Sequence, residues 1–248
     1  MNTTSTWIDK REERIRNMFS EIAPWYDFLN HFLSLNIDRS WRRRVVALVP
    51  PPAAAEGPIL DVCTGSGDLA LAYAQVAPSS TQIVGADFCH ELLQQARRKA
   101  HLKPCPASLT FVEADAQYLP FPDNSFALVC VAFGLRNITD MHRGLWEMIR
   151  VLRPGGRLAI LEFSRPRRKI LGSLYTLYFR YLLPLIGQLL CRNRYSAYRY
   201  LPESVLQFPD YEKLAAILQS HGLRDVAFVP FTGGIATLYT GRKPAEMR

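Results

Sequence analysis

The chain has 248 residues, 48% of them hydrophobic, with 30 Lys and Arg against 22 Asp and Glu, a formal charge of +8. That length suits one elaborated α/β domain, and the apolar fraction is ample for a core, which excludes a disordered chain. The basic excess points to an anionic contact without saying whether it is nucleic acid, a lipid surface or a small acidic ligand.

Residues 1–16 are polar and hold Asp9, Glu12 and Glu13. They have neither the apolar core of a signal peptide nor the acid-poor character of a transit peptide. Five cysteines, Cys63, Cys89, Cys105, Cys130 and Cys191, are odd in number and show no C-x-x-C spacing. A disulfide framework or zinc site is therefore not expected, and a reducing cytoplasm fits. Residues 11–49 read as two or three short helices broken near Ala23-Pro24 and at Asn36.

After Pro50-Pro51-Pro52, strands are expected at 59–62, 83–87, 109–112, 127–133 and 157–163. Helices are expected at 68–76, 90–100 and 141–152, the last stopped by Arg153-Pro154-Gly155-Gly156. Strands spaced by helices imply βαβ units and a mostly parallel sheet covered on both faces. The segments 228–229 and 235–240, joined at Gly233-Gly234, read as a closing hairpin, bringing the sheet to seven strands. Between strand five and a helix near Asp210 lies a long insertion. Its apolar run 170–190 is just long enough to span a bilayer, but Arg180 and Pro184 interrupt it and make spanning costly.

Gly65-Ser66-Gly67-Asp68-Leu69-Ala70 follows a strand and opens a helix, a dinucleotide-type fingerprint that is weak alone. Asp87 ends the second strand, where an acid can grip a ribose diol. Both features suit a nicotinamide enzyme and a class I, Rossmann-like methyltransferase using S-adenosylmethionine equally well. Charge separates them. A pyrophosphate on helix N–H groups would be repelled by Asp61, four residues before Gly65, and by Asp68. S-adenosylmethionine has no phosphate and brings an ammonium and a sulfonium, so the same acids attract it. Asp115, beside Ala116, follows the third strand where the adenine amino group needs an acceptor.

The segments Met18-Phe19-Ser20-Glu21-Ile22-Ala23-Pro24-Trp25-Tyr26-Asp27, Leu29-Asn30 and Trp41-Arg42 resemble the N-terminal signature of the ubiquinone/menaquinone biosynthesis C-methyltransferases. So do Leu119-Pro120-Phe121-Pro122, Phe133-Gly134-Leu135-Arg136-Asn137 and Tyr200-Leu201-Pro202-Glu203-Ser204. The resemblance covers residues 19–242 and implies methyl transfer from S-adenosylmethionine to a ring carbon of a polyprenylated hydroquinone. A demethylmenaquinol is the expected acceptor, with a methoxy-benzoquinol of ubiquinone biosynthesis as the alternative. The cofactor-binding expectation comprises Asp61, Gly65, Ser66, Gly67, Asp87, Asp115 and Ala116. Ser66 stands where Thr is common, and Ala132 stands where some members carry a cofactor-contacting Ser. Thr237-Leu238-Tyr239 replaces the more usual Ala-Leu-His.

For such chemistry the protein must align nucleophile and methyl group and polarise a hydroquinone O–H. Candidate catalytic residues are Tyr26, Arg136 and Asn137. Arg136 stays protonated, so its expected work is electrostatic, with an ion pair to Asp140 or Glu162 as the competing structural role. Tyr26 lines a ring pocket or is a helix-packing aromatic. The five histidines, His31, His90, His101, His142 and His221, form no cluster or ligand spacing; His31 reads as a solvated helix residue, and no metal is expected.

The whole is then one domain: a helical cap (1–50), a cofactor-binding core (57–163), a lid or substrate insertion (164–205) and a C-terminal helix and hairpin (206–242). Between 163 and 202 there is no Asp or Glu, while Arg165, Arg167, Arg168, Lys169, Arg180, Arg192, Arg194 and Arg199 supply eight positive charges, leaving 22 basic against the 22 acidic residues elsewhere. The surplus is thus confined to the insertion. That predicts a basic amphipathic surface at 165–199 for anionic lipid, a cytoplasmic protein peripheral to the membrane, and no nucleic-acid partner. A lid, a membrane contact and packed core all remain open for 170–190, as does a homodimer. A nicotinamide oxidoreductase and a nucleic-acid methyltransferase or binding module are the competing classes.

Overall fold

The computed structural model describes residues 12–34, 36–167 and 197–245. Three N-terminal helices, α1 (Glu12–Ile22), α2 (Tyr26–Leu33) and α3 (Ile37–Leu48), are separated by a 3-10 turn at Ala23–Trp25 and by Asn36 in the left-handed region (φ 60). These are the two expected breaks. Proline presets the first, and Asn tolerates the left-handed conformation that ends α2.

The core alternates β1 (Ile59–Val62), α4 (Asp68–Ala74), β2 (Gln82–Asp87), α5 (His90–Leu102), β3 (Ser108–Glu113), β4 (Phe126–Ala132), α6 (Met141–Val151) and β5 (Leu152–Phe163). It continues through α7 (Ala197–Gln207), α8 (Glu212–Ser220), β6 (Arg224–Phe231) and β7 (Ala236–Arg242). The seven strands run in the order β3-β2-β1-β4-β5-β7-β6. β1 to β5 are parallel, and β7 is antiparallel to both β5 and β6.

Strand periodicity sorts the core into two layers. Leu60 and Val62 of β1 join Leu145 and Met148 of α6 and Leu214 and Leu218 of α8 on one face. Ile59 joins Trp41 and Val45 of α3 and Leu69 and Tyr73 of α4 on the other. Because helices cover both faces, β1 is buried along its whole length and reads as a continuous apolar run broken only by Asp61.

One boundary differs from expectation. The Arg153-Pro154-Gly155-Gly156 segment begins β5 instead of trailing the preceding helix, since Gly155 N–H donates to Lys243 O and Lys243 N–H to Gly156 O. Helix α7 falls in the insertion after β5, which was expected to be helical, and it carries Pro202 in its interior. The hydrogen bond that Pro202 forfeits is offset by burial of Tyr200 against Ile15, Met18 and Ile22 of α1. The alternatives for 170–190 fall within 168–196, outside the described residues. Of the eight basic residues counted there, Arg165 pairs with Asp210 (2.8 Å) and Arg167 with Glu212, so these two are locally neutralised.

Candidate active site

The strand order reverses between β1 and β4, and a cleft of about 620 Å³ opens at the carboxyl ends of the strands on either side of that point. Gly65, after β1, Asp87 and Phe88, at and after the end of β2, and Asp115 and Ala116, after β3, supply one side. Phe133, Gly134 and Asn137, after β4, supply the other, and Ile15, Phe19 and Tyr26 of the helical cap form a roof.

The backbone here is set by unusual conformations. Gly65 has φ +58, and Cys63 and Phe133 adopt φ 53 and 60 despite their side chains. A Cβ on Gly134 would stand 2.3 Å from the Cys63 Cβ, so the strand ends approach this closely only with glycine there.

Each of the three acids expected to hold a cofactor is already oriented by donors. Asp87 accepts the Gly65 N–H through one oxygen (2.8 Å) and the Cys89 N–H through the other (2.9 Å). Burial pushes its carboxyl up to about 6 against these bonds. The Phe88 N–H also acts on this carboxylate, which with two lone pairs per oxygen still has capacity for a further donor. Asp61 takes the Thr64 hydroxyl (2.6 Å) and the Ala70 N–H (3.1 Å) on one oxygen, and burial raises it to about 7. Asp115 accepts the Gln117 N–H at 2.9 Å.

The predicted residues divide by location. Tyr26, Gly65, Asp87, Asp115, Ala116 and Asn137 line the cleft. Asp61 and Ser66 line a smaller adjoining cavity, which shares Tyr26, Cys63 and Ala132 with the cleft. Gly67 and Arg136 line neither. Gly67 serves close packing, because a Cβ there would stand 3.0 Å from the Ala96 Cβ and 3.2 Å from the Phe111 ring. Ala132 presents a methyl group to both cavities.

Arg136 is buried and pairs with Glu162 at 3.2 Å, with its Nη1 also donating to Phe133 O. Glu162 in turn accepts the Arg136 and Phe163 N–H groups. The ion pair weighed in the sequence is therefore the observed arrangement, and the guanidinium does not face the cleft. What it fixes is the turn Leu135–Asn137, which carries Asn137 onto the cleft wall. The Asn137 amide donates to Phe133 O (3.3 Å) and accepts from the Tyr200 hydroxyl (3.2 Å), tying α7 to the site.

Two histidine expectations are corrected. His31 is not a solvated helix residue: its Nδ1 stands 2.8 Å from Asp38 and its Nε2 3.9 Å from Asp68. His142 and His221 stack, with ring nitrogens 2.9 Å apart. Asp27, His31 and Asp68 also converge closely enough to ligate a metal ion. Lys99, however, already bonds Asp27 (2.9 Å), Ser66 (3.0 Å) and Asp68, and Arg42 stands 3.9 Å from Asp68. Two cations inside the cluster do the neutralising that a metal ion would. Tyr239, where relatives were expected to carry His, accepts the Tyr211 N–H at 2.6 Å in the core.

Of the roof, Tyr26 was expected to line a ring pocket, whereas Ile15 and Phe19 were missed by sequence reasoning. Ile15, Phe19 and Ile22 recur at helical spacing, a signal of an apolar face on α1 but not of what that face covers.

The sequence profile of the ubiE/COQ5 methyltransferase family matches residues 7–243. A ubiquinone/menaquinone biosynthesis C-methyltransferase UbiE of Geobacter sulfurreducens is 47% identical over 95% of this chain and 91% of its own length. A demethylmenaquinone methyltransferase of Thermus thermophilus is 47% identical over 92% of this chain and 100% of its own. Among solved structures, a SAM-dependent methyltransferase of Thermotoga maritima superposes with a TM-score of 0.64 at 16% identity, covering 92% of this chain and 99% of that one. At that identity the likeness speaks for the fold alone.

Proposed function

The chain belongs to the ubiE/COQ5 methyltransferase family, and from that premise we propose that it C-methylates a polyprenylated hydroquinone with S-adenosylmethionine, converting a demethylmenaquinol to a menaquinol. The observation that carries the cofactor assignment is the charge on the walls. Asp61, Asp87 and Asp115 face the two cavities, and among the described residues no Lys or Arg lines the main cleft. Such walls suit a net cation and oppose a pyrophosphate, which weighs against the nicotinamide alternative.

S-adenosylmethionine supplies a methyl group already activated by a sulfonium. Asp87, with acceptor capacity remaining, is assigned to the ribose diol, and Asp115 with the adjoining Ala116 backbone to the adenine. Asp61 is assigned to the ammonium. Tyr26 and Asn137 are assigned to the quinol: Tyr26 roofs the cleft, and Asn137 retains amide donor capacity toward a ring oxygen. Arg136 acts as a positioning residue, with Glu162 as its counter-ion. The Ile15 and Phe19 side chains provide an apolar wall for the ring, and they exclude water that would compete for the polarised oxygen.

A ubiquinone precursor is the second acceptor, favoured by the Geobacter relative, whose name covers both quinones. Among the described residues no helix is long and apolar enough to cross a membrane. A prenylated acceptor resides in lipid, so we place the protein in the cytoplasm with a peripheral contact through the basic insertion, now resting on Arg168, Lys169, Arg180, Arg192, Arg194 and Arg199. Binding to anionic liposomes at low salt, lost at high salt, is the expected result.

The experiment for the reaction is quinone extraction from a strain lacking this protein. Accumulation of the desmethyl naphthoquinone, reversed by the wild-type chain, supports the proposal. Unchanged quinones would refute it, and accumulation of the desmethyl benzoquinone alone would move the acceptor to the ubiquinone series.

A further inference from the structure

Trp41-Arg42 is the part of the N-terminal signature that the chemistry above leaves without a task. Trp41 is explained by packing. It is buried, its Nε1 donates to Thr232 Oγ1 at 2.8 Å, and its ring meets Phe163 edge-on. Arg42 is different. Its side chain lines the smaller cavity together with Asp61, Thr64 and Ser66. Among the described residues that line either cavity it is the one Lys or Arg.

Its donors are incompletely used. Nη1 bonds Asp38 at 2.5 Å, whereas Nη2 stands 3.9 Å from Asp68, beyond hydrogen-bond reach. A guanidinium carries five N–H donors in a planar fork suited to a carboxylate. Phe133, 5.7 Å from the guanidinium carbon, flanks it on the side of β4.

We propose that Arg42 binds the carboxylate at the methionine end of the cofactor, with Asp61 in the same small cavity acting on the neighbouring ammonium. The proposal rests on the S-adenosylmethionine reading and deepens it. The cofactor's amino-acid end is a zwitterion, so it needs one acid and one base within a few ångströms of each other. The small cavity has both, and among the described residues the main cleft offers no Lys or Arg. Around the cavity Asp27, Asp38, Asp61 and Asp68 outnumber Arg42 and Lys99, which suits a ligand of net positive charge but leaves its carboxylate dependent on a cation at the wall. Low exposure strengthens that contact, because water competes poorly for a guanidinium that is 11% exposed.

Calorimetric titration separates the amino-acid end from the rest of the ligand. S-adenosylhomocysteine carries it, and 5′-methylthioadenosine has the same adenosine and thioether without it. Arg42→Gln should raise the Kd for S-adenosylhomocysteine about ten- to hundredfold, the range of a charge-assisted hydrogen bond, and leave 5′-methylthioadenosine within about twofold. Retained binding of the truncated ligand also reports a folded site. Equal weakening of both ligands would assign Arg42 to packing, and unchanged affinity for both would remove it from the site; either overturns the proposal. A second measurement needs no variant. The wild-type protein should bind S-adenosylhomocysteine at least about tenfold more tightly than its carboxamide, and equal affinities would also overturn the proposal. Wild-type protein that bound none of these ligands would overturn the cofactor reading itself, a result distinct from a failure of Arg42 alone.

Discussion

Asp61 and Asp87, at the ends of β1 and β2, form no ion pair among the described residues and are held by N–H and O–H donors and, for Asp61, the Cys130 thiol; burial raises both carboxyls, to about 7 and about 6, a rise that Arg42 moderates at Asp61. Asp38, buried, and Asp68, half-buried, lie on the neighbouring helices and face cations. Burial alone would raise Asp38, yet the Ser34 hydroxyl and Arg42 bring it below its ordinary value; for Asp68, Arg42 and Lys99 do the same. The two sets differ in what they are for. Paired acids fasten the helical cap to the glycine loop, through Asp27, Lys99 and Asp68. Acids left without an ion pair are costly to the empty protein, and that cost is recovered when a cationic ligand arrives.

The comparison predicts that paired acids carry stability and unpaired acids carry affinity. The largest effect is expected at Glu162, the acid paired with buried Arg136. Glu162→Ala strands that guanidinium and should lower unfolding stability by about 3–5 kcal/mol, read from the urea midpoint. A loss below about 1 kcal/mol would mean that the pair does not hold the Leu135–Asn137 turn. Next comes Asp87→Ala, which should raise the cofactor Kd about a hundredfold, roughly 3 kcal/mol, by calorimetry. An unchanged Kd would remove the ribose assignment and blur the division between the two sets.

Lys99→Met tests the paired set where it is partly exposed, with Lys99 and Asp68 side chains each at 22%. The expected stability loss is about 1–2 kcal/mol, with cofactor affinity changed much less than by Asp87→Ala. Asp61→Asn is the smallest. A raised folded-state pKa means that the folded chain binds protons more tightly than the unfolded one, so the wild type loses stability as pH rises from about 4 through about 7. The Asn variant should lack that part of the loss and match or exceed the wild type at alkaline pH. A wild-type profile that rises across this window, with the Asn variant unable to change it, would show that Asp61 is not the buried, uncompensated acid described above.

How much of this was legible follows from which interactions are local. The order of Asp61, Gly65, Asp87 and Asp115 was readable because each acid follows a recognisable strand, and strand ends in a doubly wound sheet converge on one edge. The breaks at Ala23-Pro24 and Asn36 were readable from backbone chemistry alone. The Arg136 partner was not, since Asp140 and Glu162 were equal candidates until β4 and β5 paired and brought Glu162 beneath the turn. His31, Asp38, Arg42, Asp68 and Lys99 come from four helices and form a network only when α3, α4 and α5 pack. The bounds of α7 within the expected helical insertion were not readable, because Pro202 sits inside it and Tyr200 is buried against α1, a contact distant in sequence.

The central claim is that the acids without an ion pair are poised for a positively charged cofactor. It is tested most directly by the protons that accompany binding, measured by titrating the wild-type protein with S-adenosylmethionine near pH 6.5, between the two raised values, in buffers of different ionisation enthalpy. The account predicts net proton release on binding, because a cation at Asp61 and donors at Asp87 both favour the ionised carboxyls, with the release diminished in Asp61→Asn. Proton uptake, or binding with no proton linkage at all, would contradict it.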